Sequence, residues 1–210
     1  MKPREYAIAF LVGAASGALW FFVLQRLAVL AGWELVALAV AMPFLFVAGA
    51  VLARLIFREG IAARLIKFLM VGVLNTGIDF FIFDLLIAAT GTDRGWSITA
   101  FKSVSFLCAM VNSYELNRLW AFAGESSARR TKAEFARFFA VTVVGFLLNV
   151  GTTSVLSNAV HPLFGLSQVR WDNVAAAAAT VLNLAWNFAG YRLFVFNADK
   201  SAPRTTSTTA

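Results

Sequence analysis

One cysteine, one histidine and 11 acidic residues are all that this 210-residue chain offers of several chemically versatile types. A lone Cys108 excludes a disulfide framework and a thiolate metal site. The lone His161, followed by Pro162 in a connector, is expected to be incidental. No GxxxxGK[ST] run occurs, which excludes nucleotide hydrolysis on a phosphate-cradling loop of that kind. The dyad alternation of a membrane β-barrel is missing too. Nor is there a soluble stretch large enough to fold as a glycosyltransferase. The expectation is a protein without metal, cofactor or enzymatic activity.

What the chain has in abundance is apolar surface. Hydrophobic residues make up 60% of it, and the mean hydropathy is +0.75. Apolar runs of about 20 residues recur, the length a helix needs to cross ~30 Å of hydrocarbon. Six spans are predicted, near 6–24, 35–57, 67–89, 98–120, 136–159 and 174–196. The fold class is therefore all-α: a polytopic helical membrane protein with about six transmembrane helices. Lys2 and Arg4 ahead of an apolar run imitate a secretory signal peptide. The run continues past Trp20 into "FFVL", so an uncleaved first helix is expected. The tail 198–210 is polar and expected to be a disordered cytoplasmic segment.

Charge orients these spans. With six crossings, fourteen Lys and Arg fall on the side of the termini and four on the other: Arg26, Arg94, Lys102 and Arg170. That bias predicts cytoplasmic termini. Trp33, Trp96 and Trp171 fall at outer span ends, where an aromatic belt is expected. The net charge of +7 thus reports topology and contact with membrane lipids, and gives no support to nucleic-acid binding.

The chain also repeats itself. "KFLMVGVLNTGIDFFIFDLL" from residue 67 aligns with "RFFAVTVVGFLLNVGTTSVL" from residue 137, placing Lys67 over Arg137, Phe68 over Phe138 and Asp79 over Asn149. "SYELNRLWAF" aligns with "NFAGYRLFVF", placing Arg118 over Arg192 and Phe122 over Phe196. The last four helices therefore read as two parallel two-helix repeats, about 67–122 and 137–196. Such internal symmetry is one way transporters build a site between halves.

With "KFLMVGVLNTGIDF", "NRLWAF", "RFF" and "NFAGYRLFVF" in order, the chain resembles the GtrA-like family of small four-helix membrane proteins. The resemblance implies a core over 59–197, with residues 1–58 an added N-terminal pair of helices. It implies a function: translocation of a polyprenyl-phosphate-linked monosaccharide across the bacterial cytoplasmic membrane, for glycosylation of cell-envelope polysaccharides. A polyprenyl-phosphate glycosyltransferase is a partner it implies. The first repeat departs from the family ending, reading Ser113-Tyr114 where the second has Asn187-Phe188, with Asn112 one position earlier.

The polar residues inside the spans are the candidate site. A charge at the centre of a bilayer costs about 2.5–3.5 kcal/mol on insertion scales, so each needs a partner or a use. At ~1.5 Å per residue from the inner end, Asp79 lies ~18 Å up, near the midplane. Asp84 and Lys102 share a greater depth on consecutive helices, and a structural ion pair is expected of them. Asn75 and Asp79 share a helix face at i, i+4. Asn112, Glu115, Asn149, Asn183 and Asn187 lie at related depths, and these groups are expected to face one another or a wet path. Arg118 and Arg192 close the repeats on the cytoplasmic side, where a forked guanidinium suits a lipid phosphate. The same residues fit two rivals: a membrane scaffold with interhelical hydrogen bonds, or a small-molecule or cation exporter using Asp79. Four core helices make a small wall for a sugar path, so a homodimer is expected.

Overall fold

The computed structural model describes residues 3–27, 30–57, 60–92, 96–123, 131–163, 165 and 168–196. The side chains of 27, 98, 99, 102, 153, 154, 157, 168–170, 172, 173, 176 and 177 are excepted. The tail 198–210 and the Lys102 side chain, for which expectations were stated, lie outside this set.

Six α-helices follow one another: α1 (Pro3–Leu27), α2 (Gly32–Phe57), α3 (Ile61–Thr90), α4 (Trp96–Leu116), α5 (Lys132–Ala159) and α6 (Gln168–Gly190). The chain is an all-helical, polytopic membrane protein. Among the described residues, α1, α2, α3 and the Lys132–Thr152 part of α5 are long and apolar enough to cross a membrane. The two remaining expected spans are α4 and α6. They carry Asn112 and Glu115, and Asn183 and Asn187, which lower their hydropathy. Each instead packs against an apolar partner, α3 or α5.

Local signals set the ends. Gly91 stops α3 in the left-handed region (φ 66°), with its N–H on the Ile87 carbonyl at 2.9 Å, a conformation that favours glycine. Thr131 caps α5 by accepting from the Glu134 N–H at 3.0 Å, half of a T-x-x-E capping box. Beyond α4 and α6 the chain does something the spacing of apolar residues cannot reveal. Both helices widen into π-helical segments, Asn117–Ala121 and Tyr191–Phe196. In the first, the Phe122 N–H reaches back five residues to the Asn117 carbonyl at 2.8 Å.

The structure divides into two compact units, Met1–Ala123 and Gly124–Ala210. In the first, α1 and α2 are antiparallel and very close. A Cβ on Gly13 would sit 2.6 Å from the Pro43 Cα, and one on Gly17 would sit 2.5 Å from the Ala39 carbonyl oxygen. Pro43 has no N–H to give that carbonyl, so the oxygen lies open to the Gly17 Cα of the neighbouring helix. Helix α1 then runs alongside α3 in the same direction. Lys67 Nζ meets Glu5 Oε1 at 3.3 Å, Trp20 Nε1 donates to the Val73 carbonyl at 3.1 Å, and Phe22 packs on Phe81 at 5.8 Å. Ala9, Val12, Phe46, Ala50, Val71 and Leu74 form the core, closed by Trp120. The N-terminal pair thus packs directly on the first repeat.

The second unit is the hairpin α5–α6. Trp186 Nε1 donates to the Val141 carbonyl at 2.9 Å, and Trp171 Nε1 to the Leu156 carbonyl at 2.8 Å. Trp33 and Trp96 are 74% and 90% exposed, but Trp171 is 6% exposed. It packs within its hairpin, held by the Leu156 hydrogen bond.

Candidate functional site

The first hairpin joins two of its expected polar residues to each other and a third to a serine. Asn112 Nδ2 donates to Asn75 Oδ1 at 2.7 Å, and Ser105 Oγ donates to Asp79 Oδ1 at 2.6 Å. The pairs lie in register because α3 and α4 are antiparallel: Asn75 and Asp79 are one turn apart, Ser105 and Asn112 two. Ser105 is fully buried and escaped the sequence reading. A serine in an apolar helix is ordinary, and only its placement opposite Asp79 makes it notable. The shift of the asparagine to 112 in the first repeat is accounted for here, since Asn112 finds its partner across the hairpin.

The second hairpin fills the aligned positions differently. The alignment puts Gly145 where the first repeat has Asn75. There is no side chain on α5 at this point, and α6 supplies both amides: Asn187 Nδ2 donates to Asn183 Oδ1 at 2.8 Å. The two side-chain oxygens press on Gly145, where a Cβ would come within 2.5 Å of each. Asn187 Oδ1 is buried without a hydrogen-bond partner among the described residues. Asn149, one turn further along α5, is half-buried.

At the π-helical ends both hairpins close on the aromatic pair that the alignment matched. Phe68 meets Phe122 at 6.5 Å, and Phe138 meets Phe196 at 6.4 Å, with all four rings buried. Tyr191 stacks on Phe138 at 4.3 Å and shares a 2.7 Å hydrogen bond with Thr142. Arg118 is 5% exposed, while Arg192 is half-buried. Glu115, Arg118 and Arg192 are each engaged by neighbouring groups. Asn117 Nδ2 donates to the Ser113 carbonyl at 2.9 Å, leaving its Oδ1 and Trp120 Nε1 buried without hydrogen bonds among the described residues. Asp84 is half-buried on α3; its expected pairing with Lys102 involves a side chain outside the described set. No group of three or more His, Cys, Asp or Glu suited to a metal occurs among the described residues.

These features define a membrane protein whose helical hairpins carry paired polar side chains in apolar surroundings. The family model described as GtrA/DPMS, transmembrane domain, matches residues 67–196, and the chain belongs to that family. It is 31% identical over 130 residues to a protein of Bacillus subtilis (strain 168) named uncharacterized membrane protein YngA. The match covers 62% of this chain and 77% of that one. No solved structure matches the chain. Helices α1 and α2 lie outside the matched residues.

Proposed function

We propose that this protein translocates a polyprenyl-phosphate-linked monosaccharide across the bacterial cytoplasmic membrane, without catalysing a covalent step. The observation that carries the reading is the ladder of paired polar groups inside an otherwise apolar hairpin: Asn75 with Asn112, and Asp79 with Ser105. Amides, a hydroxyl and a carboxylate offer a sugar the donors and acceptors it loses on leaving water, while the prenyl tail stays in hydrocarbon. Asn149, Asn183 and Asn187 extend the same chemistry, and Arg118 and Arg192 are the candidate phosphate contacts. Both termini are cytoplasmic in this reading, and a polyprenyl-phosphate glycosyltransferase supplies the substrate there. A homodimer completes the path. Energy comes from consumption of the sugar outside, or from a proton passing through Asp79 or Glu115.

A second reading is supported by one feature of the same pairs. Each is satisfied within its own hairpin, as hydrogen bonds that only hold helices together would be. In that case the protein is a scaffold for a glycosyltransferase. Vesicles reconstituted with the full chain and labelled polyprenyl-phosphate sugars decide between these readings and an exporter. Transport makes the label accessible on the far side, a scaffold moves nothing, and an exporter moves cations but no lipid-linked sugar.

A further inference from the structure

Near the C-terminal ends of α1 and α3 the wall between them opens into a cavity of about 140 Å³. Phe22, Phe81, Leu85 and Ala88 give it apolar sides, and Arg26 and Asp84 bring opposite charges to it. Arg26 is in the last turn of α1; Asp84 lies six residues, about 9 Å at ~1.5 Å each, before the end of α3. Both lie near the outer ends expected of their spans, 6–24 and 67–89. No ion pair joins Arg26 to Asp84 among the described residues, although both line one cavity. The cavity joins a helix outside the family match to one inside it.

Two opposite charges held apart beside an apolar wall complement a zwitterion attached to hydrocarbon. A guanidinium binds phosphate through forked N–H donors, and a carboxylate binds an ammonium through its N–H groups. A quaternary ammonium has no N–H to give, so the carboxylate discriminates in favour of a primary amine. The Lys102 side chain, expected at the depth of Asp84, is outside the described set. A carboxylate has about four acceptor sites, enough for a lysine and a second ammonium. The Phe22 and Phe81 rings, 5.8 Å apart, provide the surface for the first acyl carbons.

We propose that this cavity is a binding site for a zwitterionic phospholipid with a primary-amine headgroup, its phosphate on Arg26 and its ammonium on Asp84. The test is native mass spectrometry of the detergent-purified full chain with phosphatidylethanolamine, phosphatidylcholine and phosphatidylglycerol of equal chain length. Phosphatidylethanolamine is expected to bind about tenfold more tightly than the other two, the worth of one charge-assisted hydrogen-bonded contact. Asp84→Asn should erase that preference, and Arg26→Gln should weaken all three lipids. Ala88→Phe fills the cavity from an exposed position while leaving both charged residues in the sequence. It should abolish binding with unchanged thermal unfolding, and so serves where Asp84→Asn does not fold. Free phosphoethanolamine should fail to displace the lipid; displacement at matched concentration would reassign the site to a soluble zwitterion. Equal binding of the three lipids by the wild type, or a preference that survives Ala88→Phe, would overturn the proposal.

Discussion

The Asp79 carboxylate takes a hydrogen bond from Ser105 at 2.6 Å, and its counterpart in the second repeat is Asn149. An amide oxygen can accept the same hydroxyl from the same place, and the aligned position of the second hairpin carries an amide. Asp79→Asn is therefore expected to keep stability within about 1 kcal/mol of wild type, the net worth of one hydrogen bond, while abolishing lipid-sugar translocation. Full transport by this variant in the vesicle assay would make Asp79 a packing residue and shift attention to Glu115 and Arg118. Asp84 and Lys102 make a different prediction. If they form a buried pair, neutralising either one should cost about 3–5 kcal/mol, and Asp84→Asn with Lys102→Met should recover much of it. A double variant as poor as the sum of the singles would show that the two do not touch.

Glycines at helix contacts separate close packing from mere flexibility. Gly17 faces the Ala39 carbonyl, and a Cβ there would meet backbone that cannot move alone. Gly17→Ala should lower the stability of unit Met1–Ala123 by about 1–3 kcal/mol through forced separation of α1 and α2. At Gly72 an added Cβ meets nothing within 4 Å, so Gly72→Ala should be neutral or gain up to about 1 kcal/mol from helix propensity. Thermal unfolding in one detergent compares the two directly; equal effects would remove the packing argument. In the second unit Gly145→Ala drives a methyl into the Asn183–Asn187 pair. The π-helical segments act at the same scale: an extra residue in the turn re-aims the side chains that follow and buries Asn117, Arg118 and Trp120.

For the whole chain, the direction of the helices bears on topology. Helices α1 to α4 alternate in direction, so their unit begins and ends on one side, and α5–α6 by itself does the same. With Cys108 replaced by serine, single cysteines at Leu30, Thr92 and Gly165 should react with an impermeant maleimide in intact cells, and one at Ala123 should not. Labelling at Ala123 would invert the orientation drawn from charge. The N-terminal pair gives a second test. Removing residues 1–58 uncovers Met70, Val71 and Leu74 and takes away Glu5, the ion-pair partner of Lys67. The shortened chain should give a lower monodisperse yield on size exclusion; an equal yield would show that 59–197 folds as an independent core.

Long apolar runs with basic connectors can hardly be anything but membrane helices, so the fold class was legible from composition and spacing. The basic starts and aromatic ends were legible as a recurring pattern, and the aligned rings make like contacts within each hairpin, Phe68 on Phe122 and Phe138 on Phe196. The polar candidates were legible as types, since an aspartate or asparagine in hydrocarbon needs a partner. Which partner was not. That Ser105 faces Asp79, that α6 fills the gap at Gly145 with two of its own amides, and that Trp171 turns inward depend on the rotation of one helix against another. Rotation is set by packing across the whole hairpin, and no local run of residues encodes it. The π-helical turns escaped for the same reason, because one added residue in a turn leaves the apolar pattern of the span almost unchanged.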